Sequence, residues 1–364
     1  MTPSPHEETP RNRLRVGLVG CGWIAEIAHL PALSASRHAG LAAVCEPDPE
    51  RREWIRERFP GVPTVELAAL LDDDRIDAVV VAVPTARHAE VAEAAFAAGK
   101  HVYVEKPLAV RMSEGRRVVR AWEASGRVGM VGYNFRRSPV VPHAGKVVRE
   151  GRIGALREIQ ATFLWAADRI EGWRSDPDAG GGALLDLASH HFDLVHALTG
   201  QRIRSVRCNL RSIRTAEDSV SAEGSLEGDA CAHMLASYVT GVQVNRLELF
   251  GATGSLLVDL LDPLPNPIVR RPGPGARLRR AARAAGRLHP RRLLHPPWRE
   301  PSFARSLEAF FAAALRNEQV APTPRDGLHA LAVSEAARRS AVRDGASVEV
   351  ESASADSPGP GGAR

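Results

Sequence analysis

Short runs that are apolar on both faces alternate with helical stretches through the first 135 residues. The strand-like runs are LRVGLVG, LAAVCE, DAVVVAV, HVYVE and VGMVGYN; between them lie WIAEIAHLPALSAS, PERREWIRERF, VELAALLDD, RHAEVAEAAFAAG and RMSEGRRVVRAWEASG. A strand with two apolar faces must be covered on both, and an intervening helix supplies the crossover that parallel neighbours require. The pattern predicts a doubly wound α/β domain over residues 13–135.

After Arg136 the pattern changes. LREIQATFLW, IRSVRCNLRSI, VSAEGSLEG, ACAHMLASYV, QVNRLELFG and GSLLVDLL read as strands linked by short turns, so residues 136–350 are expected to form an α+β domain with a large, mainly antiparallel open sheet. Two amphipathic helices within 302–345 are expected to pack back on one of the domains, and the polar ends, 1–12 and 351–364, read as disordered tails. An insertion at 265–300 carries Arg270, Arg271, Arg277, Arg279, Arg280, Arg283, Arg287, Arg291 and Arg292, which locates most of the formal net charge of +5. It reads as a solvated insertion, with a lid over a phosphorylated or nucleotide-linked substrate as the sharper alternative; no aromatic interleaving accompanies it, which argues against nucleic acid. The four cysteines form no CxxC pair, and no apolar run approaches the length of a membrane helix or a signal peptide core. A cytoplasmic protein with reduced thiols and no membrane partner is expected.

Gly20-x-Gly22-x-x-Ala25 stands where the first strand meets the first helix, with Trp23 and Ile24 in the turn. Glycines there permit a tight turn and let backbone N–H groups approach a pyrophosphate. Glu46 follows the second strand, where a carboxylate would hold ribose hydroxyls and repel a 2′-phosphate. NAD is therefore favoured over NADP, although Arg51 and Arg52 stand close enough in sequence to accept a phosphate. Pro84, Thr85 and His88 follow the third strand, with His88 read either as a nicotinamide neighbour or as a helix-surface residue.

Lys106 and Pro107 follow HVYVE at the same sheet edge, with Glu105 as an anchor or ion-pair partner. Far along the chain, GGGALLDLASHHFDL spaces Asp186 and His190 four residues apart on one helical face, with Asp193 three further on and His191 a quarter turn away. Asp186 is expected to orient an imidazole, leaving His190 to give or take a proton. Adjacent histidines diverge on a helix, so His190 and His191 make a poor zinc pair and no metal is expected; GxSxG is absent, which argues against a serine hydrolase.

The dinucleotide motif, EKP at Glu105–Pro107, GYNFRRSP, GWR, GGGALLDLASHHFDL and LFGATGSLLVD together resemble the glucose-fructose oxidoreductase and inositol dehydrogenase (Gfo/Idh/MocA) family. The resemblance implies an N-terminal Rossmann domain, NAD or NADP as cofactor, and catalytic Lys106, Asp186 and His190. It also implies that Asn134 and Arg136 line the cleft, that Trp173 and Arg174 face substrate, and that His191 adds a contact. Substrates in such a family are sugars, inositols and nucleotide-linked sugars, and its second domain assembles homodimers or homotetramers through the open sheet face. Two other outcomes are compatible with the resemblance: a glycosidase or epimerase that recycles its NAD, and a non-catalytic dinucleotide or sugar sensor. VPTARH replaces the usual Thr-Pro-Asn after the third strand, and the Arg-rich insertion matches no family feature.

Overall fold

The computed structural model describes residues 13–167, 170–261, 268–270 and 301–352. Of the expected tails, 1–12 and 351–364, and the Arg-rich insertion at 265–300, residues 1–12, 265–267, 271–300 and 353–364 lie outside the described residues; Glu351 is described and pairs with Arg116 at 2.8 Å.

Five parallel strands form the first sheet: β1 (Leu14–Val19), β2 (Ala39–Cys45), β3 (Ala78–Val81), β4 (His101–Val104) and β5 (Gly129–Val131), in the order β2-β1-β3-β4-β5. Register determines which residues meet at the edge. Val19 pairs with Cys45 and Val81, Val81 with Val104, and Val104 with Val131. The next residue on each strand, Gly20, Glu46, Ala82, Glu105 and Gly132, therefore emerges on one carboxyl edge, the edge where open α/β sheets bind ligands. Helices α1 (Leu30–Ala35), α2 (Pro49–Arg58), α3 (Leu67–Asp72), α4 (His88–Ala97) and α5 (Met112–Ser125) connect the strands. Asp48 starts α2 by accepting from Glu50 N and Arg51 N, with Pro49 in the first turn where its missing N–H costs nothing.

Helix α6 (Val140–Arg149) leads into the second sheet, which contains β6 (Leu156–Leu164), β7 (Ile203–Arg211), β8 (Ser219–Leu226), β9 (Cys231–Ser237), β10 (Val244–Gly251), β11 (Gly254–Asp259), β12 (Ile268–Arg270) and β13 (Val348–Glu349). Its order among the described residues is β12-β11-β10-β6-β9-β8-β7-β13, and every pair is antiparallel except β6 with β9. Alternation gives it two unlike faces: Val220, Ala222, Ala232, Met234 and Ala236 are buried in the core with α7 (Ser189–Thr199), whereas Glu223, His233 and Leu235 are exposed.

Helices α8 (Pro301–Arg316) and α9 (Pro324–Ala341) both return to the first domain. Leu307, Phe310 and Phe311 of α8 join the core formed by Leu18, Val80, Tyr103 and Met130; Leu328 and Leu331 of α9 share the core of Leu108 and Val119. A third bond between the domains is made by the glycine run. Gly180 has φ of +91°, and a Cβ placed on it would lie 2.5 Å from Thr85 Cβ, so only glycine lets this loop reach the end of β3.

Two stability predictions follow from this packing. Gly180→Ala lowers unfolding free energy by roughly 1–3 kcal/mol in a urea titration, because it combines overpacking with a left-handed backbone; unchanged stability would mean the loop yields instead. His101 is buried and accepts from Val128 N at 3.0 Å, and burial, then Arg127, depresses its pKa to about 4. The unfolded chain takes up that proton first, so His101 contributes stability above pH 6.5 that declines by about 1.4 kcal/mol per pH unit towards pH 4, added to the slope from the other buried histidines. His101→Gln, which retains an acceptor, lowers the total slope by about that amount; a slope identical to the parent's would assign it wholly to other groups.

Candidate functional site

The glycine loop has the shape a dinucleotide requires. Gly20 has φ of +91°, and a Cβ there would come within 2.6 Å of the Ala82 carbonyl oxygen. Gly22 faces open space, with only Arg51 Nη1 approaching the position of its absent Cβ, at 3.8 Å. The chain then enters a π-helical turn, Ala25–His29, that continues into α1. Glu46 is buried at the end of β2, its carboxylate accepting from Cys21 N at 2.6 Å and from Asp48 N at 3.0 Å. Trp23 is 58% exposed at the lip of the loop. An open cradle of backbone with a fixed carboxylate beside it fits the pyrophosphate and ribose of NAD.

Lys106 leaves the same edge two strands away, through a cis bond to Pro107. Its Nζ donates to the Asp186 carbonyl at 2.8 Å and to Asp186 Oδ1. Asp186 belongs to a second π-helical turn, Leu184–Ala188, which runs into α7. The opposite carboxylate oxygen accepts from the Tyr238 hydroxyl and lies 3.8 Å from Arg174 Nε. Burial alone would raise Asp186, but Lys106, Tyr238 and Arg174 together hold it below the usual carboxylate range. Arg174 also lies over Trp173 at 4.8 Å and over Trp23 at 6.0 Å. Trp23, Arg174, Asp186 and Lys106 thus form a continuous line from the glycine loop to the lysine.

His190 lies beside this line without a hydrogen bond to Asp186, contrary to the expected Asp–His pairing. The carboxylate is taken by Lys106 and Tyr238, and the π turn breaks the helical register that the four-residue spacing assumed. The His190 ring packs at 4.7 Å from Phe135, 5.7 Å from Tyr133 and 6.0 Å from Phe163, and its buried Nδ1 has no partner among the described residues. Burial, then the Lys106 charge, pushes it well below the ordinary histidine range, so it is a neutral imidazole.

Other expected site residues are placed elsewhere. His88 is buried rather than facing the cleft, with Nδ1 2.7 Å from Pro107 O and Nε2 3.0 Å from Val83 O; it clasps the turn that carries Lys106 to the end of β3. Asn134 donates to Ser302 Oγ of α8 at 2.7 Å and is 1% exposed. Arg136 makes a bidentate pair with Asp193 at 2.8 and 2.6 Å and lies 3.6 Å from Asp326 of α9, so it braces α7. His191 points into the sheet, its Nε2 2.9 Å from Asn245 Oδ1, and burial depresses it to about 4. Glu105 anchors its own turn: Oε2 accepts from Lys106 N at 3.2 Å, and Oε1 lies 3.0 Å from His29 Nε2, a contact without hydrogen-bond alignment. Pro84 and Thr85 remain at the domain junction with Gly180. Sequence reasoning missed Tyr238 and His29, whose neighbours are set by tertiary packing far from them in the chain.

Residues 14–133 match a family model described as oxidoreductase family, NAD-binding Rossmann fold, and residues 141–257 match the GFO/IDH/MocA C-terminal domain. The dTDP-3,4-didehydro-2,6-dideoxy-alpha-D-glucose 3-reductase of Streptomyces violaceoruber is 33% identical over 259 residues, covering 70% of this chain and 75% of the relative. The inositol 2-dehydrogenase of Rhizobium meliloti is 28% identical over 338 residues, 90% of this chain and 96% of the relative. Among solved structures, the WlbA dehydrogenase from Bordetella pertussis in complex with NADH and UDP-GlcNAcA is similar with a TM-score of 0.79 at 25% identity, covering 94% of this chain and 99% of that one. The glycine cradle, the EKP turn and the second-domain sheet together with these matches establish that the chain belongs to the Gfo/Idh/MocA family of NAD(P)-dependent oxidoreductases, which act on CH–OH groups.

Proposed function

We propose that this protein oxidises a hydroxyl, or reduces the corresponding ketone, on a sugar, cyclic polyol or nucleotide-linked sugar, with NAD as the favoured cofactor. The observation that carries the reading is the partly buried Lys106–Asp186 pair, linked through Arg174 to Trp23 of the glycine loop. A bound nicotinamide supplies the hydride donor or acceptor. Everything else falls to side chains of this chain.

Lys106 holds its ammonium where the reacting oxygen can be met, and Asp186 keeps that ammonium oriented. Reduction places negative charge on the substrate oxygen; the Lys106 N–H donors stabilise it and supply its proton. In oxidation the proton travels the other way. His190, neutral and walled by Phe135, Tyr133 and Phe163, is suited to hydrogen-bond a substrate oxygen as a neutral imidazole. Trp173 and Arg174, both at the front of the second domain, provide a flat apolar surface and a cation for a polar ring substrate. Glu46 favours a free 2′-hydroxyl at the adenosine end, and the opposing influence of nearby Arg51 makes the preference for NAD over NADP one of degree.

Titration with NADH and NADPH, followed by cofactor fluorescence, should give tighter NADH binding. Glu46→Ser should weaken NADH and narrow the difference between the two; no binding of either cofactor would remove the oxidoreductase reading. With a substrate identified by screening sugars, inositols and nucleotide-sugars, Lys106→Ala should lower kcat by about 10²–10⁴-fold. Tyr238→Phe removes only the hydroxyl that holds Asp186, and should lower kcat by roughly 10-fold, the value of one hydrogen bond to a charged group, while leaving the NADH dissociation constant unchanged. Stoichiometric NADH formation separates net oxidation from a cycle in which NAD is regenerated; full activity in Lys106→Ala would overturn the assigned mechanism.

A further inference from the structure

The open face of the second sheet carries a group of side chains that the cleft chemistry leaves unused. Strand β9 presents Cys231 and His233 two residues apart, hence on the same face, the face opposite to buried Ala232, Met234 and Ala236. The parallel pairing of β6 with β9 sets Glu158 directly beside Cys231. The antiparallel pairing of β8 with β9 sets Glu223 directly beside His233. One ligating atom each from Glu158, Cys231 and His233 falls within 4.8 Å of the others. The His233 Nε2 to Glu158 Oε2 distance is 3.1 Å. Tetrahedral zinc, with bonds of about 2.0–2.3 Å, spaces its ligand atoms by roughly 3.3–3.7 Å. The histidine and glutamate are exposed, so closing the remaining distance to the sulfur takes only side-chain rotation.

The imidazole is oriented as a ligand would be. Its Nε2 faces Glu158, while Nδ1 faces Glu223 Oε2 at 4.0 Å, a second carboxylate beside the other ring nitrogen. At that distance Glu223 adds negative charge beside the ring without a hydrogen bond to it. Sulfur, imidazole and one carboxylate form a borderline-soft donor set, which suits zinc rather than magnesium or calcium. The cysteine spacing in sequence gave no sign of this, because strand register, not local spacing, assembles the three residues.

We propose that Glu158, Cys231 and His233 form a divalent zinc site on the open sheet face, with Glu223 adding negative charge beside it. The site is separate from the Lys106 cleft, so its test does not depend on the substrate or on the oxidoreductase reading. Tag-free, chelator-treated full-length protein is titrated with Zn²⁺ in competition with a chromophoric chelator, and with Co²⁺ while the near-ultraviolet thiolate-to-cobalt band is followed. One equivalent per chain with a thiolate band is expected. Cys231→Ser should abolish the band, and Cys231→Ser and His233→Ala should each weaken Zn²⁺ by about 100-fold or more, with Glu223→Gln costing less than either. All three variants should retain parental NADH affinity. Zinc affinity unchanged in Cys231→Ser and His233→Ala, or a cobalt complex lacking the thiolate band, would overturn the proposal.

Discussion

Lys106 belongs to the first domain and Asp186 to the second, so the ion pair between them can form only when the two domains are held in one relative position. Much of the surrounding structure serves that requirement. The ammonium and carboxylate are both largely removed from water, and such a pair is favourable only if the remaining donors and acceptors are also satisfied. Here the Asp186 carbonyl takes a second bond from Lys106, and Tyr238 satisfies the far carboxylate oxygen. Tyr238 is itself tied in place through its backbone N–H to Asp218 O, and the neighbouring Glu217 O accepts from Ala183 N at the start of the Asp186 turn. One loop thus positions both Tyr238 and the turn that carries the carboxylate.

The domain junction is built so that it does not slide. Gly180 packs on Thr85 with no room for a Cβ, and His88, beneath the same edge, holds the Pro107 and Val83 carbonyls together. Arg136 joins Asp193 of α7 and approaches Asp326 of α9. These contacts explain why residues that a motif reading assigns to cofactor or substrate are found buried. A polar side chain beside a catalytic turn can serve by fixing the turn, and a buried one must spend its hydrogen-bonding capacity on protein neighbours.

The parallel sheet was legible because doubly covered strands leave a run of apolar residues that no other arrangement tolerates, and the carboxyl edge follows from strand direction alone. Gly20, Glu46 and Lys106 could be located by that logic. Asp186 was recognisable as a site residue, but its partner was not: the spacing to His190 assumed a regular α-helix, and the π turn redirected the carboxylate to Lys106. Tyr238 ends a strand in an ordinary alternating pattern, so nothing local distinguishes it from a core tyrosine. His191 shows the converse, a polar residue in a motif whose hydrogen bond to Asn245 makes it part of the core.

The electrostatics divide the chemistry between two unlike groups. Asp186 is held ionised by two donors and the Arg174 charge, a fixed negative charge at neutral pH. His190 is held neutral by its apolar walls and by the nearby lysine charge, which leaves it a hydrogen-bonding group that resists protonation. Two groups a few residues apart in sequence are thus kept in opposite charge states at one pH by their surroundings. Lys106 stands between them, bonded to the fixed charge, and its position at the end of β4 places it on the edge where the glycine loop also opens. Half-buried Cys231 and exposed His233 on β9 face away from all of this, so a metal held there would leave the cleft undisturbed.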